Sequence, residues 1–151
     1  TIGFTALLAY ARIFRPKTFR GVGGSGRPEA LAEIHFPATG IVLIGVLWGI
    51  LNEPWLAIVP LCFMGGGDAI TGLIRSRVYG REVKGIWGSV GMLVTCLILA
   101  YFIQPYFIGA AGAVTAVIAE KFTKTRHFID DNLTIPLASG LVMGVLYATL
   151  A

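Results

Sequence analysis

The chain has 151 residues and a mass of 16.1 kDa; 56% of its residues are hydrophobic and only 13% charged, with mean hydropathy +0.78 and formal net charge +4. A water-soluble domain carries apolar residues nearer ~45–50% and charged residues nearer ~25%, so composition excludes an ordinary soluble globule and favours an integral, multi-pass membrane protein. The cations sit between apolar segments, where topology and anionic lipid account for them, so nucleic acid is not expected as a partner.

In chain order, Thr1 to Ala11 reads as the end of a helix. The chain opens without Met on an apolar run, which suggests that upstream sequence has been cut away or processed, and the missing charged n-region argues against a signal peptide. Five apolar stretches follow: Phe36 to Asn52, Trp55 to Ile74, Ile86 to Gln104, Tyr106 to Ala119 and Leu133 to Ala151. Each approaches the ~20 residues that cross hydrocarbon. The expected fold is therefore all-α, a polytopic membrane helical bundle of about five full transmembrane helices plus an N-terminal helix fragment, with 1–151 as a single domain.

Lys and Arg concentrate in cytoplasmic loops. Here Arg12, Arg15, Lys17, Arg20 and Arg27 precede the first span, Arg75, Arg77, Arg81 and Lys84 follow the second, and Lys121, Lys124 and Arg126 follow the fourth. This pattern predicts a basic cytoplasmic loop at 12–35 and further cytoplasmic loops at 75–85 and 121–132. The opposite turns, Asn52-Glu53-Pro54 and Gln104-Pro105, hold no cation. Cys62 and Cys96 fall inside spans without metal-ligand spacing and read as small apolar residues.

An ionisable side chain within a membrane helix costs ~2.5–3.5 kcal/mol at the centre, so each one asks for a reason. Asp68 follows Met64-Gly65-Gly66-Gly67, where glycines allow either close helix packing or a local break lining a polar pocket. The next helix opens with Gly85, Gly88, Ser89 and Gly91 behind the cations Arg75, Arg77, Arg81 and Lys84. A helix start with small residues and flanking cations suits a phosphate group, although topogenic charge alone also explains the cations.

Glu120, Asp130, Asp131 and Asn132 form a third cluster, in which Asp131 or Asn132 is a natural N-cap of the last helix. Four acids, Asp68, Glu120, Asp130 and Asp131, are thereby expected at the membrane face that carries the cations. Mg²⁺ takes oxygen ligands and often bridges one or two carboxylates to phosphates, so the set suits a Mg²⁺–polyphosphate site. His35 and His127 lie at membrane boundaries, where polar residues are ordinary; either could act in acid–base chemistry, and Glu33 with His35 could bind metal. There is no P-loop signature, soluble-kinase glycine loop or nucleophile elbow.

Three blocks resemble the membrane-bound CTP-dependent lipid kinases, a family that includes phytol kinase, dolichol kinase and fungal diacylglycerol kinase. Gly66-Gly67-Asp68-Ala69 with Arg77, Tyr79 and Gly80 is similar to the family's first block. Lys84 followed by Gly88-Ser89-Val90-Gly91-Met92 is similar to the second, and Ala119-Glu120 with Asp130-Asp131-Asn132-Leu133-Thr134-Ile135-Pro136-Leu137 to the third. The second block departs from the family where Gly85 replaces a common Ser and Trp87 precedes Gly88.

The resemblance covers about Glu53 to Leu141 and is nearest to kinases of phytol and related isoprenoid alcohols. It implies a cytosol-facing site that moves the terminal phosphate of CTP to a lipid hydroxyl with Mg²⁺, making 75–85 and 121–132 active-site loops. The implied roles are catalysis by Asp68, Glu120, Asp130 and Asp131, metal binding by Asp68 and Asp131, and nucleotide binding by Gly67, Arg75, Arg77, Lys84, Gly88, Ser89 and Asn132. CTP, a lipid alcohol and membrane lipids are the expected partners, and a homo-oligomer is compatible with the sequence. The rival activities are a CTP-dependent cytidylyltransferase acting on a lipid phosphate, whose C-terminal Lys-Asp and His-Gly-Gly signature is missing, and a small transporter. Replacing Asp68 by Asn is expected to abolish turnover while leaving the fold intact; an active Asp68→Asn protein in a phosphate-transfer assay would remove Asp68 from the metal site.

Overall fold

Helices account for all the regular structure of the computed structural model, which describes residues 2–14, 32–80, 85–123 and 130–150. The first helix, α1 (Ile2–Phe14), packs on α2 (Ala32–Leu43), which continues through a π-helical turn at Ile44–Trp48. Pro54 opens α3 (Pro54–Cys62), a favourable first position because the missing N–H would have had no helical partner. From there one helical rod runs to Tyr79, through a wide turn at Phe63–Gly67, then α4 (Asp68–Ile74) and a second wide turn at Arg75–Tyr79. Gly80, at φ 61°, ends the rod in a left-handed conformation that costs glycine little. The remaining elements are α5 (Ile86–Leu99) with a 3₁₀ turn at Ala100–Phe102, α6 (Tyr106–Phe122) and α7 (Asp131–Leu150).

The five apolar stretches coincide with helices to within a few residues. Two of those helices, Pro54–Tyr79 and Asp131–Leu150, are long and apolar enough to cross a membrane, whereas Ile34–Trp48 and Ile86–Phe102 are apolar but shorter. The expected loops are trimmed by helix. Arg75 and Arg77 stand on the last turn of the rod, so the 75–85 loop begins after Tyr79; Lys121 belongs to α6, and α1 and α2 take the two ends of 12–35. Residues 15–31, 81–84 and 124–129, including Lys84, Arg81 and His127, lie outside the described residues.

Glycine sets the closeness of the helices. Leu43 and Leu47 of α2 seat on Gly140 and Gly144 of α7, where an added Cβ would stand 2.6 Å from each leucine's Cδ2. Such small-xxx-small faces let helix backbones approach without a water-driven force. Gly112 of α6 receives Met143 and Phe63, and Gly67 lies against Met92 and Cys96 of α5. Phe63, Met92, Cys96, Ile135 and Met143 are fully buried and form the centre of the core. The outer surface is apolar as well: Val90, Val94 and Ile98 on α5 and Leu141 and Val145 on α7 are exposed at helical spacing, the pattern of helices solvated by lipid chains.

The rods from α2 to α7 alternate in direction, which separates two chemically different ends. At one end Tyr147 donates to Glu53 Oε1 at 2.5 Å, Tyr106 donates to the Leu97 carbonyl at 3.2 Å, and Trp55 stacks on Phe102 with centroids 5.5 Å apart. The other end gathers the end of α4, the starts of α2, α5 and α7, and the end of α6.

Gly109 of α6 tests the packing: a Cβ there would sit 2.7 Å from the Ala100 carbonyl oxygen, a backbone atom without rotamer freedom, whereas Gly72 has nothing within 4 Å. Gly109→Ala is expected to destabilise by about 1–3 kcal/mol, and Gly72→Ala to be neutral or slightly stabilising. Thermal unfolding in detergent measures both, and equal melting temperatures would contradict the packing at Gly109.

Candidate active site

Asp68 is half-buried on the first turn of α4, on the face that also carries Thr71 and Arg75 one and two turns on. Thr71 Oγ1 lies 2.9 Å from the Gly67 carbonyl and 3.3 Å from the Gly88 carbonyl, tying α4 to the start of α5. Arg75 reaches across to α6 and pairs through Nη2 with Glu120 Oε1. Glu120 is 1% exposed, and a buried carboxylate without a counter-charge would carry several kcal/mol of desolvation cost, which the pairing offsets. Arg75 Nε is also buried and makes no hydrogen bond among the described residues.

Past Glu120, Thr123 meets Thr134 of α7 with their hydroxyls 2.8 Å apart. Asp130, 5% exposed, sits just before α7 and caps it: its Oδ1 accepts the Leu133 N–H at 3.1 Å. The cap is therefore Asp130 rather than Asp131 or Asn132, because the helix begins one residue earlier than the apolar pattern suggests. The same Oδ1 lies 3.0 Å from His35 Nδ1 of α2. The two atoms are within ion-pair distance, although the ring is not aligned for a linear hydrogen bond. Asp130 Oδ2 is buried and has no hydrogen-bond partner among the described residues.

The remaining sequence-predicted residues divide by role. Gly67 and Gly88 serve packing: Gly67 lies on α5, and a Cβ on Gly88 would stand 3.0 Å from Thr71 Cγ2. The Gly88 and Ser89 N–H groups donate to the Gly85 carbonyl at 3.1 and 3.4 Å, within the first turn of α5. Ser89, Asp131 and Asn132 are half-buried, and Arg77 is exposed. Asn132 offers its carbonyl to Thr39 Oγ1 at 3.4 Å. Lys84 lies outside the described residues.

His35 was visible in the sequence as a boundary histidine, a candidate acid–base group or, with Glu33, a metal ligand; its partner Asp130 is 95 positions away, and no local signal joins them. Thr39, one turn on, was invisible for the same reason.

Among the described residues no group of three or more His, Cys, Asp or Glu is assembled to hold a metal ion alone. A Mg²⁺ that shares one or two carboxylates with substrate phosphates needs no such group. Asp68 makes no hydrogen bond or ion pair among the described residues, so its carboxylate is open to a hard cation. Asp131 opens α7 with a second carboxylate, and oxygen donors of this kind fit Mg²⁺.

No family model matches the chain, and no solved structure does. Among curated proteins it is similar to two named "Probable phytol kinase, chloroplastic". The one from Zea mays is 25% identical, with 86% of this chain and 49% of that protein covered. The one from Triticum aestivum is 27% identical, covering 87% and 50%. "Probable phytol kinase 2, chloroplastic" from Glycine max is 26% identical, covering 80% and 48%. The chain thus spans about half the length of the curated relatives it matches.

The Arg75–Glu120 pair makes an energetic prediction. Removing one partner strands a buried charge and costs about 3–5 kcal/mol, whereas replacing both by apolar residues of similar volume is close to neutral. Glu120→Ala is therefore expected to unfold at a clearly lower temperature than the double variant Arg75→Met/Glu120→Leu. A double variant whose loss equals the sum of the single losses would contradict the pairing.

Proposed function

We propose, from the likeness at 25–27% identity to curated proteins named as probable phytol kinases, that the full-length protein is a kinase of that kind and transfers the γ-phosphate of CTP to the hydroxyl of a membrane isoprenoid alcohol. Phytol, geranylgeraniol and polyprenols are the acceptor class. The products are the lipid monophosphate and CDP. One observation carries the proposal: a buried carboxylate, Asp130, has one oxygen occupied and the other without a hydrogen-bond partner among the described residues, at the polar end that also holds Arg75, Glu120 and Asp68.

In this scheme Asp68 and Asp131 hold Mg²⁺, which when bound neutralises charge on the donor's phosphates. Arg77 and Lys84 take the triphosphate, with Arg75 held in place by Glu120. Asp130 Oδ2 accepts the proton of the lipid hydroxyl as the alcohol oxygen bonds to the γ-phosphorus. The bond from that phosphorus to the β,γ-bridging oxygen breaks, and CDP leaves with the electron pair. Charge neutralisation and positioning matter more than the base in such a transfer. Glu120 is thereby a positioning residue, since its carboxylate is committed to Arg75.

The apolar outer surface supports a multi-pass membrane protein in which the short helices also cross, and the one-sided cations support a polar end facing the cytoplasm. The isoprenoid tail then lies between helices while its hydroxyl meets the polar end at the interface.

The test uses full-length protein in detergent with Mg²⁺ and γ-labelled CTP or ATP, offered geranylgeraniol, phytol, a polyprenol and diacylglycerol. Label moving from CTP into an isoprenoid alcohol is expected. Pyrophosphate release with a lipid phosphate would instead make the protein a cytidylyltransferase, and solute flux into liposomes without nucleotide would make it a transporter.

A further inference from the structure

Helix α2 contributes a residue to the polar end that neither the sequence blocks nor the relatives' names assign. Its first turns are docked on α7: Pro37, Thr39 and Gly40 are buried, and Thr39 Oγ1 lies 3.4 Å from the Asn132 carbonyl. The same hydroxyl lies 3.0 Å from the His35 carbonyl and 2.8 Å from that of Phe36, with one proton to share among the three. These contacts brace the turn around Pro37, which lacks an N–H of its own. They fix the backbone of His35, one turn back on the same face, and its ring, 13% exposed, reaches Asp130 Oδ1 at 3.0 Å.

Asp130 is thus held through a single oxygen, which accepts the Leu133 N–H and lies within ion-pair distance of His35 Nδ1. The grip leaves Oδ2 as the buried atom with no hydrogen-bond partner among the described residues. An unsatisfied buried carboxylate oxygen is costly, so its arrangement suits a ligand that brings a donor. Asp130 lies at the polar end of an apolar bundle, and a hydroxyl on a hydrocarbon chain is a donor that matches both surroundings.

We propose that His35 is a positioning residue that holds Asp130 so that Oδ2 seats the hydroxyl of the acceptor alcohol. The His35 side chain acts through Oδ1 and does not itself touch the reacting oxygen. The inference extends the kinase reading by naming its acceptor subsite, yet the seat is testable without turnover.

Full-length wild type, His35→Ala and His35→Asn are compared by equilibrium binding of labelled geranylgeraniol and of the matching hydrocarbon without the hydroxyl, in nucleotide-free detergent. Wild type is expected to prefer the alcohol ~10-fold, as one hydrogen bond to a charged acceptor allows, and His35→Ala to lose most of that preference. The asparagine amide places an N–H donor where Nδ1 stands, so His35→Asn restores it. In turnover, His35→Ala lowers kcat by ~10²-fold, the scale of a misplaced catalytic group, with KM for CTP unchanged, and His35→Asn recovers most of it.

A His35→Ala protein with wild-type preference, a wild type that binds alcohol and hydrocarbon equally, or a folded His35→Asn protein that lacks the preference would each overturn the inference. Should His35→Ala fail to fold, the His35→Asn comparison decides. If the preference follows His35 but wild type transfers no phosphate to any alcohol, the seat stands and the kinase reading falls.

Discussion

The ion pair between Arg75 and Glu120 fixes the geometry on which the polar end depends. It joins the rod that begins at Pro54 to α6, and α6 is continued into α7 by the Thr123–Thr134 contact. From α7, Asp130 reaches α2 through His35. Four segments distant in sequence are thus connected by side chains that an apolar bundle could not hold separately. Each charge sits where it is because its partner is there, and a buried pair is strongly destabilised when one member is lost.

The same economy separates the two ends of the molecule. Glycines at 112, 140 and 144 let the helices approach closely through the middle, where no charge has to be accommodated. The end with Glu53 satisfies that acid with the Tyr147 hydroxyl. The opposite end closes Glu120 but leaves Asp68 and one oxygen of Asp130 without hydrogen-bond partners among the described residues. Unfinished coordination at this end is what a site for a charged, exchangeable ligand requires. The proposed kinase reading would fill that site with a phosphate donor and a lipid alcohol.

Much of this was legible in the sequence because membrane helices announce themselves by length and hydropathy. Five apolar stretches became helices, and among the described residues Arg75, Glu120 and Asp130 stand at one end of them. What was not legible depends on contacts between helices. That Gly67 packs on Met92 and Gly88 on Thr71 could not be read from the sequence, because a glycine that admits a phosphate and one that admits a side chain look alike in one dimension. Arg75 and Arg77 suggested a loop because charge marks a boundary, but the backbone continues as helix until Gly80 turns left-handed. The capping role passed from Asp131 or Asn132 to Asp130, a one-residue displacement that apolar periodicity cannot resolve. The partnership of His35 with Asp130 had no local trace.

The central claim is that one end of the bundle is a nucleotide-receiving face and the other is not, and sidedness of labelling tests it most directly. In full-length protein with Cys62 and Cys96 replaced by Ala, single cysteines at Ser89 and at Asn52 are exposed to an impermeant maleimide in sealed vesicles of known orientation. The account predicts labelling of the two positions from opposite faces, with Mg²⁺ and CTP protecting the Ser89 position alone. Labelling of both from one face, or a Ser89 position indifferent to CTP, would contradict it.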